Sequence, residues 1–401
     1  MNLKISKWKN ATQAPVVFVI DDLANIYIKK TTSTALQIGE DWGHSAHDKN
    51  SMWNFLNINL LEKFPHIKST FLLVTGQRTA MTKDAAYTYN QAMDGDEKFV
   101  TFLKYLQEHP NVELAYHGTT HGKAGETVQD FLQEWETFNT LEEAVNTTKQ
   151  GKKLFKSVLG KEPQGGKYCG YKEGKYGKNS IEKSGFKWWS YHEDNHIWDK
   201  NSTDPRYKYD LEFIQGVVNI PTTVDASNLS LKVINKLFTR KYLKSIYLYI
   251  KERKTVERHI DSLYHNSEVI SIYEHTSPYM TTEQIQYPNI ITDIENLNII
   301  FSLLAKKDIW YATCDELADY FIDREKTALI MTGENQFKLT ANENLNSELT
   351  LTFHNHNNTY ALHDSDDNFL AEFKSKKEVC YVTYPFKIDY NYKIIEVKTR
   401  S

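Results

Sequence analysis

Seven short apolar runs, most of them followed by a longer amphipathic segment, constrain this chain more than any other feature of its sequence. They are 16–20 (VVFVI), 69–74 (STFLLV), 112–116 (VELAY), 186–190 (FKWWS), 216–220 (GVVNI), 268–273 (EVISIY) and 309–312 (IWYA). All have strand length and carry β-branched or aromatic residues. Between them, segments 52–63, 96–109, 127–136, 141–158, 229–239 and 292–306 read as helices. In 96–109, Phe99, Phe102, Leu103 and Leu106 recur at helical spacing. Strand then helix, repeated, implies mostly parallel strands covered by helical crossovers. The succession fits an open doubly wound sheet and a closed barrel alike. In both, the loops after the strands' carboxyl ends converge on one rim. Asp21-Asp22, Thr75-Gly76, His117 to His121 and Glu274-His275 each follow a run directly, so four polar clusters fall on that rim.

From about residue 328 the pattern becomes strand after strand: 347–353, 359–362, 369–373, 378–386 and 392–397, with turn-rich HNHNN and HDSDDN between them. The expected division is 1–327 for the α/β domain and 328–401 for a small β-sandwich-like module. The histidines of HNHNN sit in a turn of that module. Segment 23–50 lacks a clean period and lies at the rim, where a long excursion reads equally as a lid or substrate wall and as idiosyncratic decoration.

Forty-eight basic against fifty-two acidic residues give a formal charge of -4, too balanced for a nucleic-acid surface. The first fifteen residues lack the apolar stretch of a signal peptide, and no window approaches a membrane span of about 20 apolar residues. A soluble protein is expected, cytoplasmic if the chain is full length. Cys169, Cys314 and Cys380 have no metal-type spacing and suggest no disulfide framework. The sequence is silent on oligomeric state.

The chemistry concentrates in AYHGTTHG and VVFVIDD. His117 and His121 are four apart, so a curl through 118–120 would project both rings to one side. One carboxylate of Asp21-Asp22 would complete a two-nitrogen, one-oxygen set that leaves positions open on a divalent ion, with zinc the best match. The other aspartate could then act as a base. Taken singly, each motif also has a plain reading, since an Asp-Asp pair after a strand is often a cap or turn.

VFVIDD resembles the opening motif of the polysaccharide deacetylase family (the NodB-like, carbohydrate esterase family 4 group). HGTTH resembles its second motif, IKSTFLLVTG at 67–76 the strand after its first helix, and SIYEHTS the strand that ends in a histidine. The resemblance spans roughly residues 12–323. It implies an irregular (β/α) barrel, with the all-β module outside it. It also implies one divalent metal ion held by Asp22, His117 and His121, Asp21 as general base and His275 as general acid. The implied activity is removal of an N-acetyl or O-acetyl group from a carbohydrate. Hydrolysis of another linear amide or imide is the nearest enzymatic alternative, and a catalytically weak carbohydrate-binding protein is the alternative of a different class.

Leu23 stands where the family has glycine after its two aspartates. GGKYCGY at 165–171 stands in place of a motif built on arginine and prolines, so the resemblance would have Lys167 orient the base with a point charge in place of the planar fork, and a backbone amide near Tyr168 to Tyr171 hold the oxyanion. The family's fourth motif has no clear counterpart in KWWSYHEDNHIWD. Asp41, Trp42, Trp188, Trp189 and Trp198 are candidate substrate contacts, although alternation along a strand would turn only one of Trp188 and Trp189 towards a sugar. Glu274 reads as structural, and Cys169 has no partner that would make it a nucleophile.

Overall fold

A computed structural model describes residues 2–29, 32, 35–44, 46–83, 88–191, 209–226, 242–276, 288–354, 358–376 and 378–397. The chain separates into two compact units. One comprises Val16–Lys307 with Tyr311–Asp315, the other Met1–Pro15, Asp308–Trp310 and Glu316–Ser401. This division differs from the one at 327/328 because the N-terminal residues and most of the helix Cys314–Lys326 group with the C-terminal strands.

The larger unit is built on one sheet. Its strands are β1 (Ala14–Leu23), β2 (Ser69–Leu73), β3 (Val112–Tyr116), β4 (Gly165–Lys167), β5 (Trp188–Ser190), β6 (Glu212–Ile214), β7 (Val217–Asn219), β8 (Val224–Asp225) and β9 (Ile270–His275). They lie in the order β6-β7-β5-β4-β3-β2-β1-β9-β8, and every pairing except β6 with β7 is parallel. The architecture is an irregular α/β barrel, as expected. A strand at Ile309–Tyr311 also forms where the sequence predicts one.

Crossover helices form where pattern and caps agree. Glu97–Glu108 starts on Asp96, whose carboxylate accepts from the Phe99 amide, and it buries Phe99, Phe102, Leu103 and Leu106. Leu141–Leu159 starts on Thr140 and stops at Gly160, whose φ of 76° is the left-handed turn that ends helices. The helix expected at 127–136 is instead two 3-10 turns, Val128–Asp130 and Glu134–Glu136, around a two-residue strand. The one expected at 229–239 lies outside the described residues, and a long helix at Tyr242–His265 has no counterpart in the sequence reading.

In the smaller unit, Lys4–Ile5 pairs with Leu349–His354 in a four-stranded antiparallel sheet. A five-stranded antiparallel sheet runs from Ala328–Met331 to Phe369–Glu372. Phe353 of the first meets Tyr360 of the second edge-on, with ring centroids 5.0 Å apart.

Candidate metal centre

Strand alternation should send Asp21 and Asp22 to opposite faces of β1. The strand avoids this with a bulge. Ile20 pairs with Phe71 and Leu23 with Leu73, so three steps on β1 match two on β2, and Asp22 takes a φ of 68°. Left-handed backbone suits aspartate better than most side chains. Both carboxylates stay buried at the rim and face different partners.

Asp22 meets the histidine pair. Its Oδ1 lies 2.9 Å from His121 Nε2 and 3.4 Å from His117 Nε2, and its Oδ2 lies 3.8 Å from Arg78 Nη2. Burial works to raise the Asp22 carboxyl, but His121 and then the permanent cation of Arg78 hold it well below the usual carboxylate range. Burial and then Arg78 push His121 down to about 4, so its ring is neutral near pH 7.

Asp21 meets the other set. Its Oδ2 lies 2.6 Å from Lys167 Nζ and 3.8 Å from His275 Nε2, while its Oδ1 is buried without a hydrogen-bond partner among the described residues. The Lys167 ammonium also faces the rings of Tyr171 at 3.9 Å and Tyr273 at 4.8 Å. His275 pairs in register with Asp21 across β9 and β1, and its Nδ1 donates to the Pro288 carbonyl at 2.7 Å.

Segment 117–121 forms no helical turn. It wraps around a residue that the sequence reading missed. Glu134 is buried, and its carboxylate accepts from the amides of Thr119, Thr120 and His121 at 2.7 to 3.0 Å. Gly118 makes the wrap possible: at φ 87° a Cβ there would lie 2.7 Å from Glu134 Oε2. Arg78, buried in the loop after β2, was missed as well. Neither residue stands at a spacing that relates it to the histidines. Nothing in TGQRTAMTK or FLQEWETF sets them apart from the polar residues beside them.

The donor set fits a divalent ion. His117 Nδ1 meets the Lys167 carbonyl at 3.1 Å, and because a carbonyl only accepts, the proton is on Nδ1 and the Nε2 lone pair turns towards Asp22. Donors bonded at about 2.1 Å around a tetrahedral ion stand about 3.4 Å apart, close to the separations found here. His117, His121 and Cys169 also offer ligand atoms within 4.8 Å of one another. The Cys169 thiol, however, donates to the His117 carbonyl at 3.1 Å, and burial, Glu134 and Asp22 push it well above its usual range. Asp22 is the readier anionic donor.

Other candidates lie apart from this chemistry. Trp188 and Trp189 are both 0% exposed, so neither presents a face to a sugar. Gly165 and Gly166 explain this, since a Cβ on them would come within 2.0 Å of the Trp188 ring and 2.5 Å of the Trp189 ring. Tyr168 is buried in the cluster of Tyr116, Trp135 and Trp189, and the Tyr171 amide donates to the Tyr168 carbonyl, which removes it as an oxyanion donor. Asp41 is buried and accepts from the amides of Gly43 and Met52, a structural role. Trp42 is 2% exposed and stacks on Arg78, not on solvent. Trp198 lies outside the described residues. In segment 23–50, Asn25–Tyr27 pairs with Tyr89–Gln91, and Trp42 exchanges backbone hydrogen bonds with Ala24 and Ile26.

No protein-family model and no curated protein matches this sequence. The solved structures to which it is similar include polysaccharide deacetylases and family 4 carbohydrate esterases. A polysaccharide-deacetylase-like protein from Mycobacterium smegmatis aligns at 12% identity and a TM-score of 0.45, covering 80% of this chain and 94% of that one. An allantoinase aligns at 12% and 0.44, covering 78% and 91%. A family 4 acetyl xylan esterase from Clostridium thermocellum, solved with a cobalt ion, aligns at 10% and 0.36, covering 75% and 89%. Among the described residues, no helix is long and apolar enough to cross a membrane.

Proposed function

We propose that this protein is a hydrolase that removes an acetyl group from an acetylated carbohydrate with the help of one divalent metal ion, zinc by donor type. The observation that carries this reading is the division of two adjacent carboxylates, Asp22 to the histidine pair and Asp21 to Lys167 and His275. Asp22, His117 and His121 would hold the ion, which when bound supplies Lewis acidity to a carbonyl and lowers the pKa of water. Asp21 Oδ1, without a hydrogen-bond partner among the described residues, takes the proton of the water that attacks the acetyl carbon. Lys167 pairs with the carboxylate's other oxygen and so leaves Oδ1 for this role. As the bond from carbonyl carbon to nitrogen or oxygen breaks, His275 gives its Nε2 proton to the leaving group. With Nδ1 already donating to Pro288, that role requires the imidazolium.

The test is acetate release from a panel of acetylated mono-, oligo- and polysaccharides, with and without chelator and with added zinc. Release that chelator abolishes and zinc restores is the expected result. No release from any member under any metal condition would overturn the proposal.

A further inference from the structure

Segment 23–50 reaches the candidate metal centre through a stack of two side chains. The Arg78 guanidinium lies over the Trp42 ring, 4.5 Å from its centroid, and its Nη2 approaches Asp22 Oδ2. The other oxygen of that carboxylate, Oδ1, faces Nε2 of both histidines. One carboxylate is thus divided between a permanent cation and a pair of metal-type nitrogens. We propose that Arg78, braced on Trp42, is a positioning residue that reserves Asp22 Oδ2 and leaves Oδ1 alone for a divalent ion.

The inference rests on the metal-centre reading above and adds to it. All three side chains are buried, so water and salt screen their charges weakly. Guanidinium keeps its charge at any working pH, and its flat face matches the indole. Without it, Oδ2 loses the cation it faces and can turn towards the ion as well, and outer partners of this kind govern ligand orientation at metal sites. The segment that looks like an excursion from the barrel therefore supplies part of the centre's support.

Zinc affinity of the whole chain, measured by competition with a chelator, would be paired with the infrared difference spectrum of the carboxylate stretches on metal binding. R78M should weaken zinc binding by about 10–100-fold and narrow the splitting between antisymmetric and symmetric stretches, as the second oxygen joins the ion. R78K, which keeps a charge opposite Oδ2, should retain the wide splitting with a smaller loss, and W42L should fall between. Should R78M fail to fold, R78K and W42L decide the question. Wild-type affinity and splitting in R78M, or R78K behaving as R78M does, would overturn the assignment and leave the metal centre standing. Failure of the wild-type protein to bind either zinc or cobalt would overturn the metal centre itself.

Discussion

Lys167 serves both halves of the site, through different atoms. Its carbonyl fixes the tautomer of His117, and its ammonium pairs with Asp21, both side chains being buried. Removing one member of a buried pair strands the other, at about 3–5 kcal/mol. K167M should therefore lose about that much stability in urea denaturation, and D21N/K167M should regain a large part of it. A double variant as unstable as the sum of the two single ones would show that the pair is not coupled. That a lysine stands beside Asp21 is the expectation raised by GGKYCGY. The burial of Trp188 and Trp189 is not legible in the sequence, because the room for their rings comes from Gly165 and Gly166 on the neighbouring strand.

At the scale of elements, apolar periodicity reads the strands well, and 112–116 coincides with Val112–Tyr116. It fails where local structure is set by one distant side chain. The segment 127–136 has the spacing of a helix, yet it breaks into short turns that deliver Glu134 to the amides of residues 119–121. The bulge in β1 is equally silent in sequence, since it depends on register with β2. E134A should leave three amides without their acceptor, at about 1–3 kcal/mol for each that water cannot reach. Denaturation and zinc competition should show a loss of both stability and affinity. Loss of neither would mean that the loop holds its shape without Glu134.

For the whole molecule, stability should carry a pH dependence from Glu274, which lies fully buried with neither oxygen hydrogen-bonded among the described residues. Burial, then Asp293, Asp225 and Asp21, pushes its carboxyl well above the ordinary 4.5. The folded state keeps a proton that the unfolded chain releases, so this contribution to stability is full below the unfolded value and is lost as pH rises towards the folded one. E274Q needs no such proton. Relative to wild type, its stability in urea should improve from about pH 5 to about pH 8, and a constant difference would contradict this protonation.

The claim on which the rest depends is that two neighbouring aspartates do different work around one divalent ion. Its most direct measurement is the zinc content of purified D21N and D22N proteins, by elemental analysis, alongside their rates of acetate release. D21N should keep near-stoichiometric zinc while turnover falls by about 10²–10⁴-fold, the range for loss of a general base, and D22N should lose the metal and the activity together. Zinc lost from D21N in step with its activity, or retained in full by D22N, would contradict the division.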